Sequence, residues 1–359
     1  MFSLKNLDWG FFLEIVLILF LGSATILSLN SVPWLTQASY LFLAILIYFL
    51  AAGLDFSGFS SFGWIFYLAS LVLLFAPLFF GVFSRGATRW LQIGEKTFQP
   101  SEIAKPLLII FFSHYWTNKK FNLKSLATFL LLLFSPLLLI FLQPDLGSTL
   151  VVMAIVLGIL LISEVSLRQI LGLGLIILIL APLGWFFLKD YQKLRIRHFL
   201  DPWSDPLGAG YNLIQSITAV GSGGLMGKGL GKGTQSQLAF LPERHTDFAF
   251  ASFAEEFGFL GSLALLFLYF LILRNILLIS QRQKDKFAMG ICLGIFSMIF
   301  FQAAVNIGMN LGILPITGIT LPLFSYGGSS LVSTMFCLGL VNSLSKSLKK
   351  SSAIEIGVR

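Results

Sequence analysis

A cluster of ionisable side chains lies in the stretch LPERHTDFAFASFAEEFGFLG, residues 241–261. Its members are Glu243, Arg244, His245, Asp247, Glu255 and Glu256. An apolar helical run begins at Phe248, so Asp247 falls at or near a helix N-terminus, where the helix dipole and free N–H groups stabilise a carboxylate. A carboxylate held there can act as a general base. Helix capping is the simplest alternative role for Asp247, but it does not explain the three ionisable residues just before it.

Glu255 lies two turns further along the same predicted helix. It is on nearly the same face as Asp247, about 12 Å away at 1.5 Å per residue. Ionisable groups within a strongly apolar helix are costly to bury and point to function. We therefore predict that Glu255 and His245 contribute to a substrate site with Asp247.

The stretch RGATRWLQIGEKTFQPSEIAKP, residues 85–106, combines two arginines with an acid–base pair. Arg85 and Arg89 precede a helix that starts after Pro100, and Glu102 and Lys105 are three residues apart on it, so they can pair on one face. Arg85, Arg89 and Lys105 are candidates for holding an anionic substrate, and the Glu102–Lys105 pair is expected to position it. Snorkelling of the pair at a helix end is the alternative.

A further acid lies in QPDLGST, residues 143–149, where Asp145 follows Pro144 at a predicted helix start. An acid in the first helical turn is the ordinary expectation. Asp145 is also a candidate partner for Arg195, Arg197 or a metal ion.

Two glycine-containing segments complete the candidate site. GSGGLMGKGLGKG, residues 221–233, lacks the spacing of a P-loop, but glycine-rich backbone can turn N–H groups toward an anion, and Lys228 would add charge. A flexible loop is equally consistent with it. NIGMNLGILPITGITLPLFSYGGSS, residues 306–330, breaks two apolar runs, as backbone that lines a cavity does. Ser325 and Ser329 are its candidate substrate contacts, and helix packing by small residues is the alternative.

These segments belong to a chain of 359 residues that is 57% hydrophobic and 11% charged. Soluble domains carry about 25% charged residues, and only helices and closed barrels satisfy their backbone in lipid. The sequence therefore predicts an all-α integral membrane protein with about ten transmembrane helices of ~20 residues. We expect a retained first span, because its flank lacks a clear cleavage site. The predicted spans are 11–29, 37–54, 62–83, 101–116, 126–142, 147–163, 169–188, 248–273, 287–311 and 321–345.

The distribution of Lys and Arg in short loops predicts that both termini are cytoplasmic. Residues 189–247 then form a large extracytoplasmic loop between predicted helices 7 and 8, with a short helix near 210–220. Three basic side chains in 84–100 and seven in 189–247 would lie outside, against the usual bias. A polyanionic ligand explains them, whereas a long solvated loop that simply carries charge is the alternative.

Several other functions are disfavoured. The net charge of +8 is divided between opposite ends of the spans, so we expect contact with membrane lipid and no nucleic acid. Cys292 and Cys337 lie in apolar runs and indicate neither a disulfide framework nor a metal cluster. The chain has no Gly-x-Ser-x-Gly motif, His-rich metal spacing or nucleotide fingerprint. No cofactor has an evident motif, although a divalent cation, Mg²⁺ or Mn²⁺, remains open.

Six segments, in this order, resemble the SEDS family of bacterial polytopic membrane proteins, which includes RodA and FtsW. They are GATRWLQIG, FQPSEIAKP, QPDLGST, FLDPWSDPLGAGYNLIQS, LPERHTDF and LPLFSYGGSS. Each alone is weak, but together they are specific and cover nearly the whole chain. GTQSQLAFLPERHTDF is more similar to RodA than to FtsW, which usually has Ala at the position of Arg244. Trp203 departs from the family pattern without affecting a candidate catalytic residue.

This resemblance implies a peptidoglycan glycosyltransferase that polymerises lipid II at the outer face of the bacterial plasma membrane. It implies that Asp247 is the catalytic aspartate and that Glu102 and Lys105 are important for structure or activity. It also implies a class B penicillin-binding protein, a transpeptidase, as partner, and the rod-complex proteins MreC and MreD. A lipid II flippase and a non-catalytic scaffold are the rival interpretations. A flippase predicts cations along the whole crossing path, and a scaffold predicts that Asp247 is replaceable.

Overall fold

The computed structural model describes residues 7–29, 32, 34–54, 56–84, 87–94, 96–117, 119, 122–162, 186, 190–208 and 210–357. Within them, the chain is mainly helical, as the sequence predicts. The longer helices are α1 (Trp9–Ser28), α2 (Trp34–Gly53), α3 (Gly63–Phe80), α4 (Pro100–Thr117), α5 (Leu123–Leu142), α6 (Leu146–Leu160), α10 (Ala249–Arg282), α11 (Lys286–Asn310) and α12 (Gly328–Gly357). Shorter helices are α7 (Asp190–Leu200), α8 (Tyr211–Ser222) and α9 (Thr234–Gln237), with 3₁₀ turns at Phe56–Phe62 and Pro202–Ser204.

The described residues include seven helices that are long and apolar enough to cross a membrane. The chain is therefore a multi-pass membrane protein. Helix α6 is apolar but shorter, and α4 is largely buried within the bundle. The predicted span 169–188 lies outside the described residues. Helix α8 confirms the short helix expected near 210–220.

Helices α4 and α11 form the centre of the bundle. Most side chains of both are buried, and α4 packs against α3, α6, α11 and α12. The outer helices instead expose large apolar residues such as Phe20, Phe42 and Leu131. This is the arrangement expected where lipid surrounds the bundle, because lipid tails solvate such side chains. Polar groups on α4 and α11 are thereby enclosed within protein.

Residues 82–84, 87–93 and 96–98 form a three-stranded antiparallel sheet, which an all-helical prediction did not include. Its strands are β1 (Val82–Ser84), β2 (Ala87–Ile93) and β3 (Lys96–Phe98), in the order β1-β2-β3. Trp90 pairs with Val82, and Leu91 pairs with Phe98. Aromatic and β-branched residues favour such strand pairing. The strands are too short, however, for an alternation of apolar and polar residues to be recognised between the long apolar runs of the neighbouring helices. The sheet leads into α4.

Two predicted helix boundaries differ from the structure. Helix α10 continues to Arg282 instead of ending near residue 273, and it is broken at Gly258, which has a φ of 69°. The last span begins at Gly328 instead of residue 321, since residues 311–327 form an irregular segment. Prolines and glycines in that segment prevent a continuous helix. A prediction based on apolar residues alone therefore places the start of the last helix too early.

The glycine-rich segment 221–233 closes the break in α10. The backbone N–H groups of Lys228 and Gly229 donate to the carbonyls of Glu255 and Glu256, at 3.0 and 2.9 Å. In return, Phe259 and Leu260 donate to carbonyls of the segment, at 2.8 and 3.1 Å. A Cβ on Gly227 would lie 2.1 Å from the Glu256 carbonyl oxygen, so only glycine fits there. The glycine-rich segment thus supplies hydrogen-bond partners for the backbone groups that the break in α10 leaves unpaired within the bundle.

Candidate functional site

A polar cavity of about 150 Å³ lies beside the start of α10. The N-terminal ends of α4, α6 and α12 also border it, together with β2, α7 and the segment that joins α11 to α12. Helix N-termini carry partial positive charge and unpaired N–H groups. Their convergence makes the cavity favourable for an anionic group. The predicted site residues that line it are Arg89, Glu102, Lys105, Asp145, Arg195, Asp247 and Ser329.

Asp247 is held in the cavity wall through its backbone. The side-chain amides of Asn306 and Asn310 both donate to its carbonyl oxygen at 3.0 Å. Asn310 also accepts from the Ala251 N–H at 3.1 Å, which ties the first turn of α10 to α11. The Asp247 carboxylate faces Gly318, where an added Cβ would lie 3.7 Å from Oδ2. The carboxylate therefore points into the cavity while its main chain is fixed.

Glu102 and Lys105 form a buried ion pair at the floor of the cavity. Their Oε2 and Nζ atoms are 2.7 Å apart, and Lys105 is 1% exposed. The Glu102 carbonyl accepts from Ser333 on α12 at 2.7 Å. The Glu102 backbone therefore links α4 to α12, and the ion pair is held within the bundle instead of snorkelling to solvent.

Asp145 caps α6 and is tied to neighbouring polar groups. Its carboxylate accepts from the Ser148 N–H and hydroxyl, at 3.0 and 2.8 Å, and from the Gln99 amide at 2.8 Å. The guanidinium of Arg89 is 3.9 Å away. Gln99 also donates its backbone N–H to Ser329 Oγ at 3.0 Å. Asp145 thus joins the sheet, α6 and α12 at one edge of the cavity.

Two arginines bring positive charge to this edge. Arg89 on β2 retains a buried Nε with no hydrogen-bond partner among the described residues. Arg195 on α7 donates to the Ile316 carbonyl at 3.4 Å. Both lie where a bound anion would gain from bidentate contacts. The sequence suggested Arg195 or Arg197 as the partner of Asp145, whereas the structure places Arg89 beside it and leaves Arg197 exposed outside the cavity lining.

Tyr326 completes the rim between α11 and α12. Its ring packs edge-on against His245, and its N–H donates to the His245 carbonyl at 2.8 Å. Burial and the nearby Tyr40 raise the pKa of the Tyr326 hydroxyl above its ordinary value. His245 supports Tyr326 instead of lining the cavity itself.

The expectation that Glu255 lies beside Asp247 in a substrate site is wrong. Glu255 is fully buried and turns away from the cavity, because Lys228 of the glycine-rich segment and the residues of α9 surround it with donors. Lys228, predicted to bind substrate, instead pairs with Glu255 at 2.8 Å. Similarly, Ser325 accepts from the Leu321 N–H at 3.0 Å and stabilises a turn. None of these three lines the described cavity. Arg85 lies outside the described residues.

A polar face of α11 was not identified from the sequence. It consists of Gln302, Asn306 and Asn310, which are four residues apart and buried. Their spacing on one face of an apolar helix is a detectable signal, since polar groups inside a membrane bundle are costly.

The family comparison accords with this arrangement. A family model for FtsW, RodA and SpoVE, described as "Cell cycle protein", matches residues 6–350. The chain belongs to this family. The SEDS resemblance in the sequence is thereby confirmed over almost its whole length.

Two curated relatives match about three quarters of this chain. The peptidoglycan glycosyltransferase MrdB of Escherichia coli (strain K12) is 47% identical over 282 residues, which cover 77% of this chain and 76% of MrdB. The probable peptidoglycan glycosyltransferase FtsW of Thiomicrospira cyclica is 39% identical over 77% of this chain and 72% of its own.

Two solved structures share the fold. RodA of Thermus thermophilus has a TM-score of 0.73 and 31% identity, with 96% of this chain and 98% of RodA covered. A chain from work on polymerization and crosslinking by a peptidoglycan synthase complex has a TM-score of 0.83 and 32% identity, with 96% and 99% covered.

Proposed function

We propose that this SEDS protein is a peptidoglycan glycosyltransferase that polymerises lipid II, with Asp247 as general base. The observation that carries the proposal is one cavity in which the Asp247 carboxylate shares walls with Arg89, Arg195 and four helix N-termini. The peptidoglycan glycosyltransferase names of its relatives support the substrate class.

Asp247 supplies the base that the acceptor sugar requires. As the bond to the donor sugar forms, the acceptor hydroxyl becomes acidic and transfers its proton to the carboxylate. The amides of Asn306 and Asn310 hold the Asp247 backbone, so its position does not depend on the side chain. Such fixed geometry lowers the barrier by orienting the reacting groups in advance.

The other end of the cavity receives the leaving group. Undecaprenyl diphosphate departs without needing a general acid, because diphosphate is already a stable anion. Arg89, Arg195 and the helix N-termini stabilise its growing charge electrostatically. An α-linked donor that becomes a β-linked product requires one inverting displacement and no covalent intermediate.

A divalent cation accompanying the diphosphate would use few protein ligands. Among the described residues, no three His, Cys, Asp or Glu side chains form a metal cluster. Mg²⁺ commonly binds one or two carboxylates together with substrate phosphates, and Asp145 and Asp247 would fill that role here. The ion would neutralise charge on the leaving group.

The cellular setting follows from the same proposal. The cavity faces outward in the bacterial plasma membrane, both termini are cytoplasmic, and the large loop 189–247 is extracytoplasmic. The undecaprenyl tails lie among the apolar outer helices. A class B penicillin-binding protein crosslinks the product, with MreC and MreD in the same assembly. The crosslinking named for a structural relative supports a transpeptidase partner.

Purified protein and lipid II in detergent test the proposal, with and without the transpeptidase. We expect glycan polymer from the wild type and none from Asp247→Asn, whose thermal unfolding should match the wild type. Undiminished polymer from Asp247→Asn would remove Asp247 as the base. Translocation of lipid II in liposomes without polymer would favour a flippase.

A further inference from the structure

The polar face of α11 contains one amide that the fold does not use. Asn306 donates to the carbonyls of Asp247 and Ile319, at 3.0 and 2.7 Å, and Asn310 is bonded on both amide atoms. Gln302 lies one turn earlier and is 1% exposed, and it lines the cavity. Its Oε1 has no hydrogen-bond partner among the described residues.

Packing does not explain a glutamine at this position. Buried polar groups in folded proteins are nearly always hydrogen-bonded, and an unpartnered amide opposes folding. An apolar side chain of the same length would fill the space without that cost. Because the two asparagines on the same face are satisfied, the unused amide belongs to the cavity and not to a helix contact.

We propose that Gln302 is a substrate-binding residue whose Oε1 accepts a hydrogen bond from the sugar bound beside Asp247. This inference rests on the proposed function. The donor is a hydroxyl or an acetamido N–H of that sugar. A deprotonated phosphate has no hydrogen to donate, so Oε1 pairs with the sugar. Arg89 and Arg195 line the same cavity and supply donors of the kind that a diphosphate requires.

Helix α11 gives this contact a defined relation to the base. Asn306 fixes Asp247, and Gln302 is four residues away on the same helix face. One rigid element therefore sets both the carboxylate and the amide. A sugar that binds Gln302 is held beside that carboxylate in the ground state and in the transition state alike, so the contact contributes mainly to binding.

The test measures steady-state polymerisation by the purified full-length protein over a range of lipid II concentrations. We expect Gln302→Met to raise KM about tenfold, the effect of one lost hydrogen bond, and to change kcat less than about threefold. Its Tm should equal or exceed that of the wild type, because no bond within the fold is lost. Gln302→Asn keeps a shorter amide and should give an intermediate KM.

Gln283→Met is the matched control. Gln283 follows the far end of α10 and donates to the Leu344 carbonyl at 3.2 Å. Its replacement should lower Tm and leave KM unchanged, the opposite of the result expected for Gln302→Met.

Equilibrium binding separates this inference from the proposed catalytic role. In an Asp247→Asn background, Gln302→Met should weaken lipid II binding about tenfold even though no polymer forms. Unchanged KM and binding in Gln302→Met would overturn the inference alone. A lower Tm with a parallel loss of activity would also overturn it. Absence of polymer from the wild type would remove the proposed function together with this inference.

Discussion

Replacement of Glu255 by Ala should destabilise the protein by freeing the glycine-rich segment from α10. The Glu255 carboxylate is fully buried and within hydrogen-bond distance of six donor groups. They are Lys228 Nζ at 2.8 Å, Thr234 Oγ1 at 3.2 Å, Ser222 Oγ at 3.4 Å, the Gln235 N–H at 2.9 Å, and the Ser236 N–H and Oγ at 3.0 and 2.7 Å. Removal of the carboxylate leaves these groups without their shared acceptor.

The size of the effect follows from that geometry. A single hydrogen bond to a charged group contributes about 1.5–3 kcal/mol, but bonds that share one acceptor are not additive. Breaking a buried ion pair by removing one partner costs about 3–5 kcal/mol. At about 2 °C per kcal/mol for a large chain, Glu255→Ala should lower Tm by roughly 6–10 °C.

Lys228→Met provides the comparison. The Lys228 side chain is 27% exposed, and its removal leaves the Glu255 carboxylate with its other donors. We expect a loss of only about 1 kcal/mol. The assay is thermal unfolding in detergent, followed by lipid II polymerisation below the Tm of each variant.

A structural role predicts that activity follows the folded fraction. If Glu255→Ala kept the wild-type Tm and yet formed no polymer, Glu255 would act on substrate and this reasoning would be refuted.

Three further changes test how the cavity is built. Asn310→Ala should reduce kcat about 100-fold, because the Asp247 carbonyl loses one of the two side-chain hydrogen bonds that position it. Single-turnover polymerisation measures this rate, and a wild-type rate would contradict the prediction. Gly318→Ala should lower the stability by about 1 kcal/mol, because Gly318 has a φ of 77°, which an alanine adopts only with strain. Thermal unfolding is the assay, and an unchanged Tm would be the contrary result. Lys105→Met should destabilise the protein by about 3–5 kcal/mol, because it leaves the Glu102 carboxylate buried without its partner. Replacing both residues by apolar ones should recover part of that loss. A double-mutant cycle measures the coupling, and additive losses would argue against a coupled pair.

The sequence alone determined the fold class and the main candidate base. Long apolar runs require helices in lipid, whatever their neighbours, so most spans could be placed to within a few residues. Asp247, the Glu102–Lys105 pair and Asp145 are identifiable because ionisable residues are rare in such a chain. The SEDS motifs are also present in the sequence, where they are identified by resemblance to that family. The orientation of the bundle stays a prediction, since it rests on the loop charges.

Tertiary structure decided which polar groups share a cavity and which support the fold. Helical spacing placed Glu255 on the face of Asp247, but the break at Gly258 and the glycine-rich segment gave its carboxylate other partners. The same contacts make Lys228 a partly exposed ion-pair partner of the buried Glu255 and not a substrate contact. The structure shows that Gln302 Oε1 has no hydrogen-bond partner among the described residues, whereas Asn306 and Asn310 on the same helix face are hydrogen-bonded. The physical reason is that hydrogen-bond satisfaction depends on segments far apart in the chain, whereas hydropathy is a local property of the residues themselves.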